Sequence, residues 1–201
     1  MSAALELREV RASCPAPAGW LPVLEDLALS AEDGTWVGLV GPSGCGKTTI
    51  LRVAFGLLRP QAWEVKVIGG SPRGRVAYLP QGETLLLWRT VLGNLLAARE
   101  VDGSLTAADR AEAMGFLAQF GLESFVHAYP RELSGGMRQR VALLRTFLAR
   151  RPVLLLDEPL GALDALTRIA AQEGLRAVQD SLPRTGVHVT ENREEALFRA
   201  D

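Results

Sequence analysis

The string Gly41-Pro42-Ser43-Gly44-Cys45-Gly46-Lys47-Thr48-Thr49 constrains this chain more than any other. It follows the apolar run Trp36-Val37-Gly38-Leu39-Val40 and precedes Ile50-Leu51-Arg52-Val53-Ala54-Phe55, so a buried strand is predicted to pass through a glycine-rich turn into a helix. Gly41, Gly44 and Gly46 let the backbone curl its N–H groups inward, and the free N–H groups of the helix start add partial positive charge. An anion fits there. Lys47 is placed to reach the β- and γ-phosphates of a nucleotide, and the Thr48 hydroxyl to ligate a bridging Mg²⁺. A glycine-rich turn without a ligand is the alternative; the complete G-x-x-x-x-G-K-T string between strand and helix argues against it.

A second signal lies far along the chain. Val153-Leu154-Leu155-Leu156 follows Pro152 and runs into Asp157-Glu158-Pro159, which predicts a central parallel strand covered on both faces. In an open α/β sheet, ligands bind at the carboxyl ends of the strands. Asp157 is therefore placed to hold Mg²⁺ opposite Thr48, and Glu158 to polarise a water for in-line attack on the γ-phosphate. Beside the phosphate loop, this reading outweighs an acidic pair that merely ends a strand.

The remaining elements follow in order. Residues 5–12 alternate as a half-buried strand, Pro15, Pro17 and Gly19 break it, and residues 23–30 resume a strand before Asp33-Gly34. Val65-Lys66-Val67-Ile68 and Arg75-Val76-Ala77-Tyr78-Leu79 read as short strands. Residues 83–133 turn helical: Val91, Leu92, Leu95 and Leu96 form one apolar face, and Thr106 caps a helix whose Ala111, Met114, Leu117 and Ala118 fall at helical spacing. Helices are expected over 135–150, 165–179 and 194–199, with a strand over 186–190. The fold class is α/β: residues 1–82 and 151–201 form the core with antiparallel strands, and about 83–150 is a helical insertion.

Leu133-Ser134-Gly135-Gly136-Met137-Arg138-Gln139-Arg140 is the most informative string. Ser134 is a good N-cap, and Gly135 and Gly136 bare the N–H groups of the first turn, which makes a second helix start fit to hold phosphate. One nucleotide does not need two such cradles on one chain; the second serves a nucleotide bound to another copy.

Composition excludes several classes. Lys and Arg number 22 against 23 Asp and Glu, a net charge of −1, so no global field recruits nucleic acid. Hydrophobic content of 48% fits either a partner-facing surface or large buried strands. No apolar span crosses a bilayer and residues 1–6 do not begin a signal peptide, so a cytoplasmic location is expected. Cys14 and Cys45 have no metal spacing, and Cys45 reads as a small filler of the phosphate loop.

With these strings in place, the sequence resembles the ATP-binding subunits of ABC transporters, most closely those of the nitrate, sulfonate and taurine importers. The resemblance runs from about residue 5 to 201 and covers five motifs in the family's order. These are the phosphate loop, the glutamine loop Leu79-Pro80-Gln81, the signature 133–139, Asp157-Glu158, and Leu160-Gly161-Ala162-Leu163-Asp164. It implies a phosphate-loop NTPase core and a head-to-tail dimer with two ATP molecules, each between the loop of one copy and Ser134, Gly135 and Gly136 of the other. It further implies that Gln81 touches Mg²⁺ and senses the γ-phosphate, that Asp164 links the two sites, and that the subunit is peripheral on the cytoplasmic face of the membrane. After the glutamine loop the family docks a short helix of the membrane-spanning subunits. Here that stretch is Thr84-Leu85-Leu86-Leu87-Trp88-Arg89, with an internal core turn as the other reading.

Three departures stand out. The family's histidine after the last core strand is replaced by Glu191, a carboxylate near phosphate, which should weaken transition-state stabilisation. His188, three residues upstream and about 10 Å away along a strand, is better read as a strand histidine with a local partner. The adenine-stacking aromatic would fall near Cys14, where there is none; Trp20 stands in for it or is simply packed. The chain also ends at Asp201, where many relatives continue, with every nucleotide motif in place. The leading expectation is an Mg²⁺-ATPase driving a bacterial importer. The alternatives are an ATP-gated dimerising module with little turnover, and a soluble ABC ATPase of DNA repair or translation. Lys47 and Ser134 stand only 87 residues apart with no sustained heptads, and each motif occurs once, which weakens the last.

Overall fold

A computed structural model describes residues 3–192 except 18, 69, 83, 162–167, 169, 170, 173–175 and 177–183. The chain divides into two compact units, Met1–Gln81 with Arg151–Glu158 and Arg184–Asp201, and Gly82–Arg150 with Pro159–Pro183. The helical unit thus includes residues 159–183, which the sequence reading placed with the core. The helix expected over 165–179, the one over 194–199, and Asp164 fall largely or wholly outside the described residues.

In the first unit, β1 (Ala3–Ala16) pairs antiparallel with β2 (Gly19–Glu32) and β4 (Ala62–Val67). Leu5 and Leu7 are buried, and so are Val10 and Ala12, which changes the parity of the alternation between residues 7 and 10. The register shifts at that point and Glu9 adopts φ 50°, a bulge that keeps the apolar set on one face. The hairpin also extends further than the prolines suggest, to Ala16 opposite Gly19. Beyond Arg11, β4 no longer flanks β1, so Pro15 lies where half the backbone groups have no ladder to lose.

The other sheet is parallel, in the order β3 (Trp36–Val40), β7 (Thr185–Thr190), β6 (Val153–Asp157), β5 (Val76–Leu79). Every residue of β6 is buried, as its unbroken aliphatic run requires. Helix α1 (Lys47–Phe55) buries Leu51, Val53 and Ala54 in a core shared with Leu5, Leu7, Val153, Leu155, Val187 and Val189. A Cβ at Gly186 would stand 2.2 Å from the Trp36 ring, so β7 passes under the indole only with glycine there.

The second unit holds α2 (Val91–Asp102), α3 (Ala107–Gln119) and α4 (Gly135–Leu148), with short 3-10 turns at Glu123–Phe125 and Pro130–Glu132. Thr106 caps α3 as expected: its Oγ1 accepts from Asp109 N at 3.1 Å, and Asp109 Oδ2 accepts from Thr106 N at 2.9 Å. The buried face of α3 differs from the expectation. Leu117 is buried as expected, but its buried partners on the helix are Asp109 and Ala113, with Phe120 just beyond, while Met114 is 40% exposed and Ala111 and Ala118 face solvent. The capping box turns Asp109 inward, where the Thr106 hydroxyl and backbone N–H, together with Arg99 at 3.1 Å, hold its carboxyl down to about 2. That fixes the helix rotation, and the apolar positions four and eight residues on become the interior ones.

Candidate functional site

The four parallel strands deliver their carboxyl ends to one edge. Val40 is level with Thr190, and Val189 with Asp157, so β3 releases the phosphate loop, β7 releases Glu191, and β6 ends in Asp157 and releases Glu158 at the same edge. Strand β5 ends at Leu79, two residues before Gln81. A cavity of about 230 Å³ opens there, lined by Ser43, Gly44, Gly46, Lys47, Thr48, Thr49, Gln81, Glu158, Glu191 and Val23. His188 is not among its lining residues; its ring lies 6.5 Å from that of Trp36, so it is the strand histidine with a local neighbour.

The loop is built by backbone geometry. Gly44 and Gly46 adopt φ 77° and 97°, a region that L side chains enter only with strain, and Gly46 caps α1 in that conformation. A Cβ on Gly46 would also stand 3.0 Å from Val23 Cγ1, and one on Gly41 would stand 2.8 Å from Cys45 Sγ. Pro42 O accepts from Cys45 N at 3.4 Å, which starts the turn. Lys47, only 7% exposed, donates through Nζ to Gly41 O at 2.7 Å and Pro42 O at 2.8 Å. An ammonium has three donors, and the third meets only Cys45 Sγ at 3.9 Å, a weak acceptor that a phosphate oxygen would replace.

Thr48 Oγ1 donates to Asp157 Oδ1 at 3.0 Å, which brings hydroxyl and carboxylate together as the sequence requires. Asp157 is 1% exposed, and its other oxygen accepts from the Tyr78 hydroxyl at 3.1 Å. Burial and the adjacent carboxylate push the Tyr78 phenol up to about 12, so it stays a donor. Glu158 sits at φ 49° with its N–H on Val189 O at 3.0 Å. That left-handed step ends the strand and turns Glu158 toward Gln81, whose Nε2 donates to Glu158 Oε2 at 2.9 Å. Adjacent carboxylates thus serve different partners. The donor set of hydroxyl and carboxylate oxygens fits Mg²⁺, which takes few protein ligands and completes its shell with phosphate oxygens and water. Gln81 holds Glu158 here, a contact its expected role toward Mg²⁺ did not anticipate.

In the second unit, Ser134 caps α4, with Oγ accepting from Met137 N at 3.3 Å, and Gly135 and Gly136 form the first turn as expected. Arg138 Nη1 donates to Leu133 O at 2.8 Å, and Gln139 Nε2 to Pro159 O at 3.0 Å, so two signature side chains brace backbone rather than reach outward. The stretch expected to dock a partner divides. Leu85 is buried and Leu86 partly so, while Leu87 and Trp88 are 71% and 74% exposed. Asn94, fully buried and missed by sequence reasoning, organises it. Its Oδ1 accepts from Leu86 N at 2.7 Å, and its Nδ2 donates to Leu86 O and Arg89 O at 3.0 and 3.1 Å. Arg145 adds two bonds of 2.7 Å to Thr84, and Arg89 pairs with Glu100. Trp20, 71% exposed, is not the packed tryptophan considered above.

A glycine-rich phosphate loop facing strand-end carboxylates across a parallel sheet defines a phosphate-loop nucleotide-binding protein. Residues 24–161 match the ABC transporter family, and the chain belongs to it as an ABC-type ATPase. It is 44% identical over 180 residues to the aliphatic sulfonates import ATP-binding protein SsuB 1 of Rhodococcus jostii (strain RHA1), covering 89% of this chain and 71% of the relative. It is 39% identical over 184 residues to the taurine import ATP-binding protein TauB of Yersinia pestis bv. Antiqua, covering 89% and 71%. The expected resemblance to the sulfonate and taurine group is met in these relatives. Among solved structures, the dimeric ABC transporter cassette MJ0796 superimposes with a TM-score of 0.87 at 27% identity, over 96% of this chain and 90% of that one. A post-hydrolysis state of the same cassette, bound to ADP and Pi, gives 0.85. Among the described residues no helix is long and apolar enough to cross a membrane.

Proposed function

We propose that this chain is the ATP-hydrolysing subunit of a membrane importer of the sulfonate and taurine type, peripheral on the cytoplasmic face of the membrane. The observation that carries the reading is the meeting of the phosphate loop, Asp157, Glu158 and Gln81 around one cavity. The loop N–H groups and Lys47 bind the ATP phosphates. Thr48 and Asp157 would hold Mg²⁺, with Gln81 beside it, and the cation would supply neutralisation of phosphate charge. Glu158 accepts the proton of the attacking water, with Gln81 fixing its carboxylate. Ser134, Gly135 and Gly136 of a second copy close over the nucleotide, and Asp164 links the two sites of this head-to-tail dimer. Since closure needs ATP and opening follows hydrolysis, differential affinity for the closed dimer does the mechanical work.

Turnover is favoured over ATP-gated pairing without hydrolysis because Lys47 and Glu158 are both in place and a solved neighbour holds hydrolysis products. Glu191 sets the rate, as its carboxylate lines the cavity and adds negative charge where the γ-phosphate would lie. The test is Mg²⁺-dependent ATP hydrolysis by the concentrated chain beside Glu191→His. The natural chain should turn over, and the variant should be faster by roughly ten- to a hundredfold. No hydrolysis by either would remove the ATPase mechanism.

Leu87 and Trp88 form the docking point for the membrane-spanning subunits, an exposed apolar pair on a loop whose Leu85 is buried and whose backbone at Leu86 and Arg89 is held by Asn94. Changing both to alanine should cut co-purification with those subunits by about tenfold or more. Undiminished co-purification would move the docking point elsewhere.

A further inference from the structure

The hydroxyl of Tyr78 lies outside every motif considered so far, yet it touches the most buried carboxylate of the site. Strand β5 pairs with β6 so that Tyr78 is level with Leu155, and Asp157, two residues further, shares Leu155's face. The phenol is long enough to span that step. It donates to Asp157 Oδ2 at 3.1 Å while Thr48 donates to Oδ1 at 3.0 Å. The ring is itself held by Phe55, with centroids 5.4 Å apart. Phe55 ends the helix that begins with Lys47 and Thr48.

We propose that Tyr78 is a positioning residue for the divalent-cation site, its hydroxyl fixing the rotation of the Asp157 carboxylate so that Oδ1 stays turned to Thr48. The inference rests on the reading of Thr48 and Asp157 as the residues that hold Mg²⁺. The terminal torsion of an aspartate is broad, and one hydrogen bond from Thr48 leaves the carboxylate free to swing about that contact. A second donor on the other oxygen, from a different element, removes that freedom. Residues that orient a metal-binding carboxylate act through geometry, and losing one typically weakens metal binding ten- to a hundredfold.

The test uses the full chain with a non-hydrolysable ATP analogue and Mn²⁺, read by electron paramagnetic resonance, with analogue affinity also measured in EDTA. Tyr78→Phe keeps the ring against Phe55 and removes only the hydroxyl. The half-saturating Mn²⁺ concentration should rise about tenfold, with affinity in EDTA unchanged within twofold. Mn²⁺ binding unchanged within twofold, or an equal loss with and without the metal, overturns the proposal. Tyr78→Leu separates packing from positioning: the Mn²⁺ shift should already be complete in the phenylalanine variant. A shift seen only with leucine would assign the effect to the ring and sink the idea. Asp157→Asn should abolish the Mn²⁺ signal. If it binds Mn²⁺ like the natural chain, the metal-site reading itself fails, and the proposal with it.

Discussion

Replacing Lys47 with alanine is expected to weaken ATP binding by at least about a hundredfold, on the order of 3 kcal/mol. The ammonium is nearly buried and anchored by two loop carbonyls, so its charge is directed by the backbone that is to wrap the phosphates. Little compensating reorganisation is available. No other cation lines the cavity among the described residues, and two of its residues, Glu158 and Glu191, are acidic. The nucleotide would therefore meet uncompensated negative charge on removal of this one group. Equilibrium binding of a fluorescent ATP analogue measures the effect, with circular dichroism showing that the fold is kept. Unchanged affinity would mean that the loop is not the phosphate site.

Glu158→Gln should leave ATP affinity in place and lower hydrolysis by about a hundred- to a thousandfold. Glutamine has nearly the shape of glutamate, and whichever way its amide is turned, one hydrogen bond with Gln81 can be retained, so the left-handed backbone at 158 and its bond to Val189 need not change. What is lost is the ability to take a proton. Closure by ATP without the hydrolysis that reopens it should accumulate a dimer, visible by size-exclusion chromatography with ATP and absent with ADP. A variant that hydrolyses ATP at the natural rate would remove Glu158 from the role of base.

The parts of the molecule that show in the sequence are those in which residue type and local order coincide. The phosphate loop needs glycines at set intervals, and β6 needs four aliphatics in a row; both strings are local. The cap of α3 was legible for the same reason. Its buried face was not, because Met114 looks apolar in a list of residues while rotation of the helix is set by an aspartate turned inward. Contacts between distant elements were equally hidden. Tyr78 reaches Asp157 across 79 positions, and Arg145 reaches Thr84 across 61. Asn94 carries no motif, since a buried amide looks like any exposed one until the backbone it satisfies is seen. The parity change between Leu7 and Val10 was written in the sequence, but only pairing in the sheet shows that it is resolved by a bulge at Glu9.

The loop bearing Leu87 and Trp88 has a mechanical consequence. Soft segments absorb displacement, and stiff ones pass it on. Thr84 is pinned to α4 through Arg145, while Leu86 and Arg89 are pinned to α2 through Asn94 and Glu100. The apolar tip between these pins behaves as a strut, so a shift of either helix is delivered at Trp88 with little lost to bending. The same stiffness means that a partner seated on the tip has little chain to order on arrival, leaving more of its contact energy for holding on under load.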